Sequence, residues 1–179
     1  MSKRNRVVAM VSAALLVAGG GVTALAPAAN AAAYHGVDGN SYVNDDWQDE
    51  ENLSVDDYAQ SNATALWETV LWADGAMYED EDGDWHAFKR NKIDGSFGPE
   101  TESATQWWQN HYGIPENEGV VTDDCWQSAQ SRLNGPYAGG AVQYVGSARA
   151  VTFKRVNGKY RVKLKGTGSW KIAYYEQVG

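Results

Sequence analysis

Apolar residues keep one period in the middle of this chain and another near its end, and that change limits the folds open to it. Ala63, Leu66, Trp67, Val70 and Leu71 fall at i, i+3, i+4, i+7 and i+8, behind a capping Ser61 or Asn62 and ahead of a stop at Gly75. From Ala150, "AVTFKRVNGKYRVKLKG" instead alternates around Asn157-Gly158, a two-residue hairpin signal. That turn sets Val156 opposite Lys159, Lys154 opposite Arg161 and Phe153 opposite Val162, which yields one apolar and one basic face. Trp170, Ile172 and Tyr174 alternate likewise and are expected to add a third strand on the apolar face. The fold class that follows is α+β, helices first and a small antiparallel β hairpin or meander after them.

The first residues read as an address. Lys3, Arg4 and Arg6 precede an apolar run from Val7 to Ala26, and Ala29-Asn30-Ala31 offers a small-residue cleavage site. Residues 1–31 are therefore expected to be a secretory signal peptide. The rest is expected outside the cell, secreted or wall-associated, with no membrane contact after cleavage. Cys125 is the one cysteine, so no intramolecular disulfide forms and stability rests on packing. A small buried apolar side chain is the favoured reading of it over a reactive thiol.

Charge is divided along the chain. Residues 32–134 hold 4 basic side chains (Lys89, Arg90, Lys92, Arg132) against 22 acidic ones, whereas residues 135–179 hold 8 basic against Glu176 alone. Such asymmetry implies different partners for the two parts, or attraction of one by the other. Residues 32–60, with Asp45, Asp46, Asp49, Glu50, Glu51, Asp56 and Asp57, show no sustained period and are expected to form an acidic, mobile arm. Tyr42, Trp47 and Tyr58 are its candidate anchors, because aromatics are scarce in disordered tails. Met77 to Ile93 reads as a polar loop. Its acidic run from Glu79 to Asp84 fails the EF-hand pattern, which would put Tyr78 at the first ligand position and Lys89 at the bidentate glutamate. A solvated loop is the reading preferred there, with no metal site and no cofactor. Gly139, Gly140 and Gly146 mark residues 135–147 as a Gly-rich linker to a basic β unit at 148–179.

The stretch "IDGSFGPETESATQWWQ", Ile93 to Gln109, concentrates the signals. Asp94-Gly95 makes a turn, Phe97 plugs a core, Gly98 reverses the chain and Pro99 suits the first helical position, where no amide donor is needed. A helix then runs to about Tyr112, with Glu100 and Glu102 favourable at the positive end of its dipole. Ala104, Trp108 and His111 share one face. After Gly113, Thr122 caps a third helix carrying Cys125, Trp126, Ala129 and Leu133.

"DGSFGPETESATQWWQ" followed by "GIPENEGVVTDDCW" resembles the three-helix peptidoglycan-binding-like domain of secreted cell-wall hydrolases, whose pattern reads roughly D-G-x-F-G-x-x-T-x-x-A-V-x-x-F-Q, then G-x-x-x-D-G-x-V-T-x-x-T-W. Asp94, Gly95, Phe97, Gly98, Thr101, Ala104, Trp108 and Gln109 fall in register, as do Gly113, Gly119, Val121, Thr122 and Trp126. The resemblance covers about residues 61–133, so 61–134 is expected to be the helical domain. Leu66-Trp67 stands where the family has Leu-Gln, the link to the Asp-Gly turn is longer, and Cys125 replaces a common threonine. The hairpin lies outside the resemblance. It implies binding of wall polymer in a groove between helices.

Most residues of the pattern are structural. Trp107 is the exception: the pattern leaves its place variable, and helical geometry turns it about 100° from Trp108, to the edge of the buried face. An indole there either stacks on a sugar ring or is simply half-buried. His111 and Tyr112 are candidates for polar contacts beside it. On the hairpin, the basic face of Lys154, Arg161 and Lys163 is a solvated strand face, a dock for the acidic arm, or a binder of anionic wall polymers.

Catalysis finds little support in this inventory. The three histidines, His35, His86 and His111, are scattered, and neither an H-E-x-x-H pair nor a G-x-S-x-G elbow occurs. The reading is a secreted, non-catalytic protein that binds peptidoglycan by carbohydrate recognition, with no nucleic-acid partner. A secreted protein-interaction or hydrolase-inhibitor module on the same fold is the alternative, and a small wall-lytic enzyme the third.

Overall fold

A computed structural model describes residues 35–40, 42–115, 118–164 and 168–176. The expected signal peptide and Lys165 lie outside these residues. Three helices and two antiparallel sheets make the fold α+β.

Helix α1 (Asn62–Asp74) begins where Ser61 accepts a hydrogen bond from the Thr64 amide and ends at Gly75, whose φ of 71° suits the left-handed cap. The expected single apolar face underestimates it, since twelve of its thirteen residues are buried and only Trp72 is half-exposed. The reason is position: α1 contacts α2 (Pro99–Tyr112) as well as strands β4 (Ala141–Val145), β5 (Ala150–Val156) and β6 (Lys159–Val162), so it is covered on all sides. Helix α2 has the expected bounds, with Pro99 opening it and Gly113 closing it at φ 69°. Helix α3 (Asp123–Gln130) is one turn shorter than the spacing suggested, and Leu133 instead opens strand β3 (Leu133–Tyr137).

Two segments expected to lack regular structure are strands. Met77 to Ile93 is no open loop: β1 (Met77–Glu79) pairs with β2 (Trp85–Ala87), so a hairpin stands between α1 and α2. Asp80 accepts hydrogen bonds from the Asp82 and Asp84 amides and pairs with His86 at 2.7 Å, so its carboxylate serves the turn. The hydrogen bonds from these donors hold the Asp80 carboxyl below its usual range. The supposed linker is mostly strand as well. It supplies most of β3 and all of β4 in a five-stranded sheet ordered β3-β4-β5-β6-β7, where β7 is Lys171–Ile172. Alternation explains the miss: Val142 and Tyr144 are buried while Gln143 and Val145 are exposed, a pattern too short to read beside the glycines.

The hairpin register is as the Asn157-Gly158 turn requires, with Lys154 opposite Arg161 and Val156 opposite Lys159. The next strand is out by one place. Ile172 pairs with Arg161, which sets Ile172 on the basic face, and Ala173 and Tyr175 are buried in place of Trp170, Ile172 and Tyr174. A one-residue offset exchanges faces.

The acidic segment 32–60, expected to be a mobile arm, contributes Val37, Val43, Trp47 and Leu53 to the core. Trp47 lies edge-on to Trp126, Phe153 and Tyr160 at centroid distances of 5.7, 5.8 and 5.2 Å. The anchor suggested by its aromatics outweighs the acidity around it. Arg155 neutralises part of that charge by donating to Asp46 at 2.5 Å, and the Tyr160 hydroxyl donates to the same carboxylate at 2.6 Å. The described residues from 35 to 176 therefore group as one compact unit.

Candidate functional site

The motif residues turn out to be braces. Glu68 on α1 is fully buried and accepts from the amides of Asp94 and Gly95 at 2.9 and 2.8 Å and from the Thr101 hydroxyl at 3.2 Å, which fixes the Asp-Gly turn against two helices. Burial pushes the Glu68 carboxyl up to about 8, against the pull of these donors. Gln109 receives the Gly119 amide at 3.0 Å and donates to the Val120 carbonyl at 2.8 Å, so its side chain ties α2 to the loop before α3. Trp67, in the place of the family's glutamine, donates to Thr105 at 3.0 Å. Asp74, at the end of α1, accepts from Trp108 Nε1 and the Tyr144 hydroxyl, both at 2.6 Å, and from the Ser147 amide at 2.8 Å. Cys125 is buried, and burial pushes its thiol up, as an inert apolar side chain requires.

What these braces hold in place is a shallow hollow on the open side of α2. It is lined by Ser103, Gln106, Trp107, Asn110 and His111 from α2, by Glu79 from β1 and by Trp85 from β2, and its volume is 460 Å³. The β1–β2 hairpin is anchored to the helix there by the Glu79 amide, which donates to Ser103 Oγ at 2.8 Å. Trp107 is half-buried and lies flat against His111, ring centroids 4.9 Å apart and planes 8° from parallel. Trp85 is 53% exposed. Two indoles and an imidazole thus meet beside side-chain amides, a hydroxyl and one carboxylate. Rings supply flat apolar faces and the polar groups can bond hydroxyls, which is the chemistry of a sugar subsite.

Trp107 and His111, singled out in the sequence, are brought together in this hollow. Tyr112 is placed elsewhere. Its hydroxyl bonds Ser147 Oγ at 2.6 Å, its ring packs on Trp108 at 4.6 Å, and the Arg132 guanidinium carbon lies 3.8 Å from the ring centroid. It ties α2 to the turn between β4 and β5, and burial pushes its phenol up. Trp85 was missed, although an indole inside a run of acidic residues was a signal that something held it.

The basic residues of the sheet divide. Arg155 and Lys159 meet Asp46 and Asp38 of the acidic segment, each at 2.5 Å. Lys154, Arg161 and Lys163 form no ion pair among the described residues. The acidic segment does dock on the hairpin, then, but through the other two cations.

Residues 85–128 match the family described as "Putative peptidoglycan binding domain". The match begins at Trp85, ends within α3 and takes in Trp107 and His111, so the peptidoglycan-binding resemblance is shown over about a quarter of the chain, a narrower span than 61–133. No curated protein and no solved structure matches the chain. Outside the peptidoglycan-binding match lie α1, the acidic segment and the five-stranded sheet. Among the described residues no group of three or more His, Cys, Asp or Glu is placed to hold a metal, and no helix is long and apolar enough to cross a membrane.

Proposed function

We propose that this is a secreted, non-catalytic protein that binds peptidoglycan in the hollow on α2. The observation that carries the reading is a coincidence: most of the residues lining the hollow, Trp85 to His111, fall inside the stretch matched by the peptidoglycan-binding family. Trp107 and Trp85 stack on sugar rings in this reading, His111 backs Trp107, and Gln106, Asn110 and Ser103 meet hydroxyls and amides of the polymer. Export is supported by the basic, apolar and small-residue order of residues 1–31.

Binding without cleavage is supported by the lining. Glycoside hydrolysis by its usual route takes two carboxyl groups flanking the bond, and Glu79 is the one carboxylate here. The buried carboxyl groups Asp46, Glu50, Glu68 and Asp74 each hold backbone, phenol or guanidinium donors, which gives them structural work instead.

Sedimentation of the mature protein with purified insoluble peptidoglycan tests the binding. Release of dye from labelled wall tests the chemistry. Retention without dye release is expected. Dye release above background would make the protein a lytic enzyme, and no retention would leave the α2 hollow to a protein partner.

A further inference from the structure

Across the outer face of the sheet runs one continuous row of side chains. Tyr137 in β3 pairs with Ala141 in β4, Ala141 with Lys154 in β5, Lys154 with Arg161 in β6, and Arg161 with Ile172 in β7. Five strands at about 4.8 Å spacing make this row about 19 Å long. Tyr137 is 56% exposed at one end. Ile172 stands at the other; two residues before it, Trp170 has the ammonium groups of both Lys154 and Lys163 near its ring, 5.3 and 4.9 Å from the centroid. Two like charges gathered on one indole repel each other, and a half-exposed ring offsets only part of that repulsion. An anion between them completes the arrangement. Arg161 Nε is buried without a hydrogen-bond partner among the described residues.

Three other cations are matched with acids, at Arg155–Asp46, Lys159–Asp38 and Lys92–Glu100. The residues before β3 hold 22 acidic side chains, yet none pairs with Lys154, Arg161 or Lys163 among the described residues. A lone strand face would need lysines only at its edge to deter sheet pairing. Lys154 on β5 and Arg161 on β6 are inside the sheet, and Lys163 lies just past the end of β6.

We infer that this row is a second binding surface, and that its ligand is a linear polyol-phosphate polymer attached to the wall. Phosphates repeated along a flexible chain suit two ammonium groups and one guanidinium fork clustered on one face, and Tyr137 and Trp170 give the intervening carbons apolar rests. The wall attachment rests on the peptidoglycan reading above. A protein already held in the α2 hollow meets such a polymer at high effective concentration, which offsets the repulsion from its own acidic half.

The test uses labelled glycerol-phosphate polymer released from wall, followed by fluorescence anisotropy, together with sedimentation on intact and on polymer-stripped wall. The protein is expected to bind the free polymer, with affinity falling about tenfold or more as salt rises from about 50 mM to about 500 mM. The Lys154→Gln/Arg161→Gln/Lys163→Gln variant should lose at least about tenfold in affinity for the free polymer yet sediment with stripped wall like the parent. Should the triple variant fail to fold, the single Lys154→Gln and Lys163→Gln changes each carry a smaller loss in the same direction. No binding of the free polymer at low salt overturns the inference, as does unchanged affinity in the variants. Duplex DNA displacing the polymer equally well at equal phosphate overturns the assignment to a wall polymer. Binding of free polymer with no retention on stripped wall would sink the hollow while leaving the charged row standing.

Discussion

Trp107 and His111 lie one helical turn apart on α2 with their rings 8° from parallel and 4.9 Å between centroids. That contact covers one face of the imidazole and one of the indole, and it leaves Trp107 half-buried at the rim of the hollow. On the proposed reading, a ring fixed in this way loses little freedom on meeting a sugar, so the stack would preorganise the site.

His111→Ala should therefore weaken peptidoglycan binding by several-fold, through a looser Trp107, while leaving the melting temperature nearly unchanged. Removal of an exposed ring costs within about 0.5 kcal/mol of stability. Titration of soluble wall fragments against tryptophan fluorescence measures the first effect and thermal unfolding the second. A loss of stability with no loss of affinity would make the stack a structural device only.

Asp74 joins three elements by accepting from Trp108, Tyr144 and the Ser147 amide. Asp74→Ala strands those buried donors, at about 1–3 kcal/mol each. Asp74→Asn keeps one acceptor oxygen and should be milder. Chemical denaturation is expected to rank them parent, Asn, Ala, with Ala lower than the parent by several kcal/mol, on the order of the summed donor cost.

Glu68 and Glu50 have carboxyl groups pushed up by burial, to about 8 and about 7. Both folded values lie above the ordinary 4.5, so the native state binds protons more tightly than the unfolded chain between those limits. The stability this contributes is full below about pH 4.5 and is lost as pH rises through 7 and 8. Melting temperature should thus rise as pH falls from 8 to about 5. Glu68→Gln, which imitates the protonated form, should flatten the upper part of that curve. A melting temperature that climbs from pH 5 to 8 contradicts the account.

Trp47 belongs to the acidic segment but sits among Trp126, Phe153 and Tyr160. Trp47→Ala should cost about 3–5 kcal/mol, a core-sized loss. A protein shortened to start at Ser61 should lack the cooperative unfolding transition of the mature chain, as circular dichroism would show.

The helical half was legible because its signals are local. Ser61, Gly75, Pro99 and Gly113 stand at the helix ends that their chemistry favours, and Asn157-Gly158 alone set the hairpin register. What stayed hidden was set by contacts between distant segments. Nothing near Trp47 in sequence announces that Phe153 and Tyr160 will enclose it, and the burial of α1 on all sides depends on a sheet formed 70 residues later. Trp107 and His111 were each legible as candidates, although His111 was set on the face of Ala104 and Trp108 and its stacking on Trp107 was not read. Trp85 was not legible, because its approach to them requires the β1–β2 hairpin, whose three-residue strands fall below any readable period.

The central claim is that the hollow formed by Trp85, Trp107 and His111 holds peptidoglycan. Sedimentation of the parent, Trp107→Ala and Trp85→Ala with polymer-stripped peptidoglycan at high salt tests it most directly, because the basic row is then silent. The account predicts that the parent is retained and that each variant, still folded, loses about tenfold in affinity, the size expected for a lost ring stack. Equal retention of all three would contradict it.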